Sequence, residues 1–299
     1  MGPPAPPLHL ANSLASPMHL ETSLSQLQDL PRNVGHAIRF ESARLTQAAG
    51  ILLRLPQEVI AQAIVILQRF WTGPDGGNPL EQDAKDAAAA AMYISAKPSG
   101  TPVSAKQILT VFAYLASLRG DYAKAQPANN DSQTAELHFT QGQYEVARDR
   151  LYKVESEILR VLGFQTHVAL PYTLCVNYLQ TLEVFQSIGG SKVAKRAIAH
   201  LNSALLSPQL LYLTHQPSAL ATAAIYLAAR EVDVKLPEVE WWEVFDVDRE
   251  ELGFLVVGLT SLEGFASECK QAFSHQVIQM TAEDLRLEME QQELVQEAA

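Results

Sequence analysis

The sequence predicts an all-α protein made of two tandem repeats, each of about five helices. Three observations carry the prediction. A short helix occurs twice: Ala91-Met92-Tyr93-Ile94-Ser95-Ala96-Lys97 returns as Ala224-Ile225-Tyr226-Leu227-Ala228-Ala229-Arg230, with Tyr226 lying 133 positions after Tyr93. Both copies are small and apolar on all sides and end in one cation. A helix with no polar face has nothing to offer water, so it belongs inside a ring of other helices, and small side chains let those neighbours come close. Elsewhere the apolar residues recur at helical spacing, and no stretch reads as a strand. The apolar 47% of the chain is mostly Ala, Leu and Val, with only 7% aromatic residues, a composition that suits helices. Two wrapped bundles form a scaffold for gripping a partner, and they make catalysis an unfavoured reading.

The elements follow in order. Residues 1–35 mix prolines with polar residues and are expected to be a disordered N-terminal segment. The first repeat is assigned to residues 36–166. Helical periodicity begins near Phe40 and carries Leu45, Ala48, Ala49 and Leu52 on one stripe, until Leu55-Pro56 breaks it. Pro56 is suited to the first turn of the next helix, which presents Val59, Ile60, Ala63, Ile64, Leu67 and Phe70 on a wide apolar face. Residues 73–78 form a Gly/Pro loop. The first apolar central helix is predicted from Leu80 to Lys97, where Pro98 ends it. A fourth helix runs from Ser104 to Leu118 around Ile108, Val111, Phe112 and Leu115. Periodicity is lost over about residues 120–142, a flexible insertion that includes Asn129 and Asn130. A fifth helix, Tyr144 to Leu162, is closed by Gly163 at the position a C-terminal cap favours.

The second repeat is assigned to residues 167–268. Pro171 opens a helix to about Phe185, Gly189-Gly190 turns the chain, and Val193 to Leu206 is the next helix. The second central helix spans about Pro217 to Glu231. Trp241-Trp242 begin a short helix, and Arg249 to Ala266 form the last one of the repeat. Residues 269–299 are expected to be an acidic helical tail, with Thr281 as a helix cap followed by Glu283 and Asp284.

Charge and side-chain inventory narrow the function. A net charge of −11 disfavours nucleic acid as a direct partner, because phosphate neutralisation needs a basic face. Lys192, Lys195 and Arg196 are the one small cluster of cations, which reads as a solvated helix face. The two cysteines, Cys175 and Cys269, have no CxxC spacing and are expected as buried thiols, consistent with a reducing compartment. The histidines show no HxxxH or HExxH spacing, and phosphate-binding and nucleophile motifs are absent, so no metal, cofactor or catalytic residue is assigned. Glu155 and Glu157 point to different faces of their helix and do not form a catalytic pair. The longest apolar run, about residues 219–229, falls short of the ~20 residues that cross a bilayer, and no signal-peptide pattern opens the chain. The expectation is a soluble intracellular protein without a membrane partner.

Several motifs, in a fixed order, resemble one family. Two five-helix repeats around apolar third helices resemble the cyclin fold. Gln47-Ala48-Ala49-Gly50-Ile51-Leu52-Leu53-Arg54-Leu55-Pro56-Gln57 and Leu67-Gln68-Arg69-Phe70-Trp71 are similar to segments of cyclin L, the L-type transcriptional cyclins. Val154-Glu155-Ser156-Glu157-Ile158-Leu159-Arg160-Val161-Leu162-Gly163-Phe164, followed by His167-Val168 and Pro171, resembles the end of a first cyclin box. Asn177-Tyr178-Leu179-Gln180, Ile225 to Arg230 and Trp241-Trp242 extend the resemblance into a second box, over about residues 37–268.

The resemblance implies a non-catalytic regulatory subunit that forms a heterodimer with a cyclin-dependent protein kinase, acting in RNA polymerase II transcription or pre-mRNA processing and therefore nuclear. Cyclins press on the mobile C-helix of the kinase, which completes an internal Lys–Glu pair and orders the activation segment. They do so with a Lys at the end of the third helix and a Glu on the fifth, positions that Lys97 and Glu155 occupy here. Phe112 and Leu159 are assigned as apolar kinase contacts beside them. The chain departs from the pattern after Lys97, where Pro98-Ser99-Gly100 replaces the usual acidic residues. A second reading is therefore a cyclin-fold scaffold that binds protein partners without activating a kinase. A third, an adaptor like general transcription factor IIB, would need a basic surface and zinc-binding cysteines that the sequence lacks. Arg230 is read as a cap on its own helix, and at least one of Trp241 and Trp242 as core.

Overall fold

The computed structural model describes residues 10–20, 32–72, 76–118, 122, 139–273 and 282–283. Among these residues the only regular structure is helical. The chain divides into two compact units, one of Ser16–Thr166 with Glu268–Ala299, the other of Met1–Ala15 with His167–Ser267.

The first unit contains α1 (Arg32–Leu52), α2 (Gln57–Thr72), α3 (Ala84–Ala96), α4 (Ala105–Ser117) and α5 (Gln141–Val161). The Ala-rich α3 is its axis. Ala87, Ala88, Ala90, Ala91 and Met92 are fully buried, and α1, α2, α4 and α5 all pack on it. Small side chains are what permit four companions around one rod. The same economy of space operates at Gly50 in α1, where a Cβ would collide with Ile60 and press on Met92. Helix α2 buries its whole apolar run, including Ile64, Val65, Ile66 and Phe70.

The ends of these helices correct the sequence expectation in physical terms. Periodicity began the first helix at Phe40, but α1 already starts at Arg32. Pro56 lies just before α2, and its carbonyl accepts from Val59 and Ile60 N–H. Helix α3 begins at Ala84 rather than Leu80, because Asn78 draws the preceding residues into a turn: its Oδ1 accepts from Leu80 N–H at 2.9 Å and its carbonyl from Glu81 and Gln82. The expected insertion ends before residue 142. Thr140 and Gln143 form a reciprocal capping box that starts α5 at Gln141. Asn129 and Asn130 lie outside the described residues. Gly163 takes a left-handed φ of 55° after α5, as its cap position requires.

The second unit contains α6 (Tyr172–Thr181), α7 (Gly190–Ala204), the single-turn α8 (Leu211–Thr214), α9 (Pro217–Val232) and α10 (Arg249–Phe273) as far as Ser267, with short 3-10 helices at Val184–Gln186 and Trp241–Phe245. The axis is α9, whose Ala221, Ala223, Ala224, Ile225 and Ala228 are fully buried beneath α6, α7, α8 and the Trp241–Phe245 helix. The helix expected from Pro171 to Phe185 stops at Thr181, and Glu183 turns left-handed at φ 54°. Helix α8 was not legible, since four residues carry no period. Trp241 is 4% exposed and belongs to the core, with Phe245.

Helix α10 runs on to Phe273, past the expected end at Ala266. Its stretch Arg249–Gln271 is long and apolar enough, by length and composition, to cross a membrane, although 28% of the qualifying window is buried. The sequence reading missed it because Ser, Thr, Gly and Glu263 interrupt the run. Leu252, Leu255 and Leu259 are buried and Gly258 lies against Gln209 and Leu211, whereas Phe254 and Val257 are exposed. Within the stretch expected to be disordered, residues 17–20 form one helical turn and Asn12 is buried. Of the C-terminal tail, Ala282 donates its N–H to Asp83 Oδ1 at 2.8 Å; Thr281 and Asp284 lie outside the described residues.

Candidate partner-binding site

The two residues that the sequence singled out meet. Lys97 is the C-cap of α3, and its Nζ donates to Glu155 Oε1 on α5 at 2.6 Å. The Lys97 side chain is 52% exposed, whereas that of Glu155 is 12% exposed. A pair with one solvated partner contributes ~0 to 1 kcal/mol, so stability alone gives little reason for it. It presents an ammonium with spare donors and a carboxylate with spare lone pairs at the surface, both suited to unpaired polar groups of another protein.

Two tyrosines complete the patch, and the sequence reading missed them. The Lys97 ammonium lies 4.5 Å from the centroid of the Tyr93 ring, which stacks on Tyr152 at 6.0 Å and 29°. Burial, then the hydrogen bond with Tyr152 and nearby charge including that of Glu155, pushes the Tyr93 phenol up to about 12. The signal was available in the spacing. Tyr93 precedes Lys97 by four residues and Tyr152 precedes Glu155 by three, which sets each on its partner's face. Leu159, half-buried, continues the stripe one turn beyond Glu155. Just past α5, Phe164 is 74% exposed at φ 62°, its N–H donating to Leu159 carbonyl at 2.8 Å.

Phe112 is placed differently. It is 2% exposed and belongs to the core of α4. Its ring is part of the wall of a groove of about 500 Å³ between α3, α4 and α5, which also includes Ala89, Leu109, Phe139, Val146 and Arg150. At one edge, Arg150 pairs with Asp86 at 3.2 Å and with Asp83 at 3.6 Å. Burial raises Asp86 above the usual carboxylate range, and the charges of Lys85 and Arg150 oppose the rise.

The segment after Lys97 caps α3 with its own atoms. Ser99 donates both its N–H, at 3.2 Å, and its hydroxyl, at 2.8 Å, to Ala96 carbonyl. The turn answers carbonyls that a helix end leaves without partners, and it uses no acidic side chain. Of the other candidates, both cysteines are buried, and burial lifts Cys175 to about 12 and Cys269 to about 11. No group of three or more His, Cys, Asp or Glu suited to a metal occurs among the described residues. Arg230, the counterpart of Lys97, lies over Tyr226 at 5.8 Å.

No family model matches the chain. An uncharacterised cyclin-L1-like protein of Schizosaccharomyces pombe is 31% identical over 211 residues, which cover 70% of this chain and 76% of that protein. The chain belongs to the L-type cyclins. Human cyclin-L2 is 28% identical over 275 residues, 88% of this chain, and zebrafish (Danio rerio) cyclin-L1 is 28% identical over 256 residues, 85% of it. This L-type cyclin matches only 49% and 47% of the lengths of those two relatives. Its fold is shared with a chain in the crystal structure of the yeast RNA polymerase II CTD kinase CTDK-1 complex, at TM-score 0.64 and 14% identity, over 87% of this chain and 76% of that one. It is shared too with a chain of the CAK complex of Chaetomium thermophilum bound to ATP-γ-S, at TM-score 0.59 and 15% identity, over 93% and 91% of the two chains. As a cyclin, the chain is a regulator and not an enzyme.

Proposed function

We propose that this L-type cyclin binds and activates a cyclin-dependent protein kinase in the nucleus, in RNA polymerase II transcription or pre-mRNA processing. The single observation that carries the proposal is the Lys97–Glu155 pair at 2.6 Å on the surface of the first repeat, flanked by Tyr93, Tyr152 and Leu159. Its pieces suit a kinase helix end. The cation and the carboxylate meet unpaired backbone groups there, while the aromatic and leucine stripe gives apolar contact around them. Phe164 extends that contact, and Phe112 supports it from the groove wall. Pressed against the C-helix of the kinase, such a surface holds the internal Lys–Glu pair closed. The names of the relatives and the kinase complexes among the solved structures support the reading. The kinase complexes also support a heterodimer with a kinase.

The test is reconstitution with the cognate kinase. A Lys97→Ala/Glu155→Ala double variant is expected to weaken binding by about tenfold or more, from the loss of charged hydrogen bonds, while its thermal unfolding stays within ~1 kcal/mol of wild type. Phosphorylation of an RNA polymerase II tail peptide should fall with it. Undiminished binding by the double variant removes the site. The Pro98-Ser99-Gly100 turn, which lacks acids, favours a second reading, a scaffold that binds without activating. Tight kinase binding with no rise in phosphorylation would establish that one instead.

A further inference from the structure

Residues 11–15 cross the surface of the second repeat as a non-helical strap, and they are held by more than packing. The Asn12 carboxamide engages both backbone groups of Ala169: Nδ2 donates to the carbonyl at 2.8 Å, and Oδ1 accepts from the N–H at 2.9 Å. Gln216 does the same to Asn12. Its Oε1 accepts from Asn12 N–H at 3.0 Å, and its Nε2 donates to Asn12 carbonyl at 3.0 Å. Three residues on, Ala15 N–H donates to Leu213 carbonyl at 2.8 Å. Asn12 is 9% exposed and Ala169 4% exposed.

The receiving side is built by the repeat itself. Ala169 lies in the non-helical stretch before α6, where a buried N–H and carbonyl require partners from outside regular structure. Gln216 precedes Pro217, which keeps it out of helical geometry, at ψ 154°. It is the N-cap of α9 but makes no side-chain cap bond, so its carboxamide turns to the strap. Leu213 contributes a carbonyl from the last residues of α8, where helix acceptors go unused. The chemistry selects one side chain. Asp has no donor for Ala169 carbonyl and sets a charge against it, and Ser cannot span both groups.

We propose that the second repeat carries a peptide-reading site specific for asparagine, whose resident occupant is the chain's own residues 11–15. The site accepts the same chemistry in trans: a non-helical segment of a partner protein that offers Asn with its own N–H and carbonyl free for Gln216. The strap is thus a displaceable latch. The proposal is independent of the kinase reading, which concerns the other repeat.

Hydrogen exchange at the Ala169 amide tests it in the full chain. Asn12→Ala is expected to speed that exchange by about tenfold, the loss of two reciprocal hydrogen bonds. A synthetic peptide of residues 10–16, Leu-Ala-Asn-Ser-Leu-Ala-Ser, in excess should return it to the wild-type rate, whereas the same peptide with Asp for Asn should not. The isosteric Asn12→Asp variant, which keeps the packing volume, should lose protection as Asn12→Ala does. Equal exchange in wild type and both variants overturns the proposal, as does failure of the Asn peptide to slow exchange or equal rescue by the Asp peptide.

Discussion

The two repeats share an axis and differ at its tip. In each, an Ala-rich rod is sheathed by four neighbours and ends with a cation folded over the tyrosine one turn back: Lys97 over Tyr93 at 4.5 Å, Arg230 over Tyr226 at 5.8 Å. In the first repeat the cation reaches across to an acid on α5, Glu155. In the second the neighbouring acid, Glu231, is engaged from α7 by Arg196 and by His200 Nε2 at 3.0 Å, and Arg230 forms no ion pair among the described residues. The same element therefore pairs its own cation with a neighbouring helix in one unit, whereas in the other the acid beside the cation makes the ion pairs, at similar solvent exposure. A shared fold motif fixes where the tip lies, and one residue on a neighbouring helix, Glu155, gives the first tip its ion pair.

The rods themselves should respond alike. Met92 and Ile225 occupy equivalent positions 133 residues apart, and both are fully buried. Met92→Ala and Ile225→Ala are each expected to cost about 2–5 kcal/mol, transfer loss plus the cavity left behind. Calorimetry on both variants checks this. Each deletion should weaken the unit that holds it, and a large cost for one with almost none for the other would break the equivalence of the two axes.

The rods were legible because their evidence is local. Small apolar residues on every side of a helix announce burial without reference to anything distant, and so did the capping glycine at 163. Lys97 and Glu155 came from family resemblance, and the end of α3 and the turn count of α5 bring them together. What stayed hidden depends on contacts far apart in sequence. The anchoring of Asn12 spans 157 residues to Ala169 and 204 to Gln216, and a Pro-rich, polar stretch gives no hint of it. Phe112 could not be told from a surface aromatic by period alone, because a buried and a groove-lining position share one helix face. Helix α8 is a single turn, and a single turn has no period to read.

Charge reversal at the tips sharpens the comparison. Lys97→Glu sets like charges together at the proposed kinase surface and is expected to weaken kinase binding by about 2 kcal/mol or more, or some thirtyfold. Arg230→Glu at the equivalent position should leave binding unchanged. Titration calorimetry with the reconstituted kinase measures both. Equal losses would mean that the second tip is also an interface, and that Glu231 does not distinguish the repeats.

The smallest effect lies in the Arg196–Glu231–His200 cluster, and its sign follows from the charges. The hydrogen bond from Arg196, and next that with His200, hold the Glu231 carboxyl below its ordinary value of 4.5 against the opposing effect of desolvation. A carboxylate that is more acidic in the folded state stabilises the fold wherever it is ionised in both states. That contribution is complete above the ordinary value and disappears as the pH falls from about 4.5 through the lower folded value. With the Glu231 side chain 33% exposed and that of Arg196 53% exposed, solvent screening keeps the contribution under about 1 kcal/mol. Glu231→Gln should therefore lower the melting temperature slightly at pH 7, and the gap to wild type should narrow as the pH falls below about 4.5. A gap that does not narrow on acidification would show that Glu231 acts through packing and not through charge.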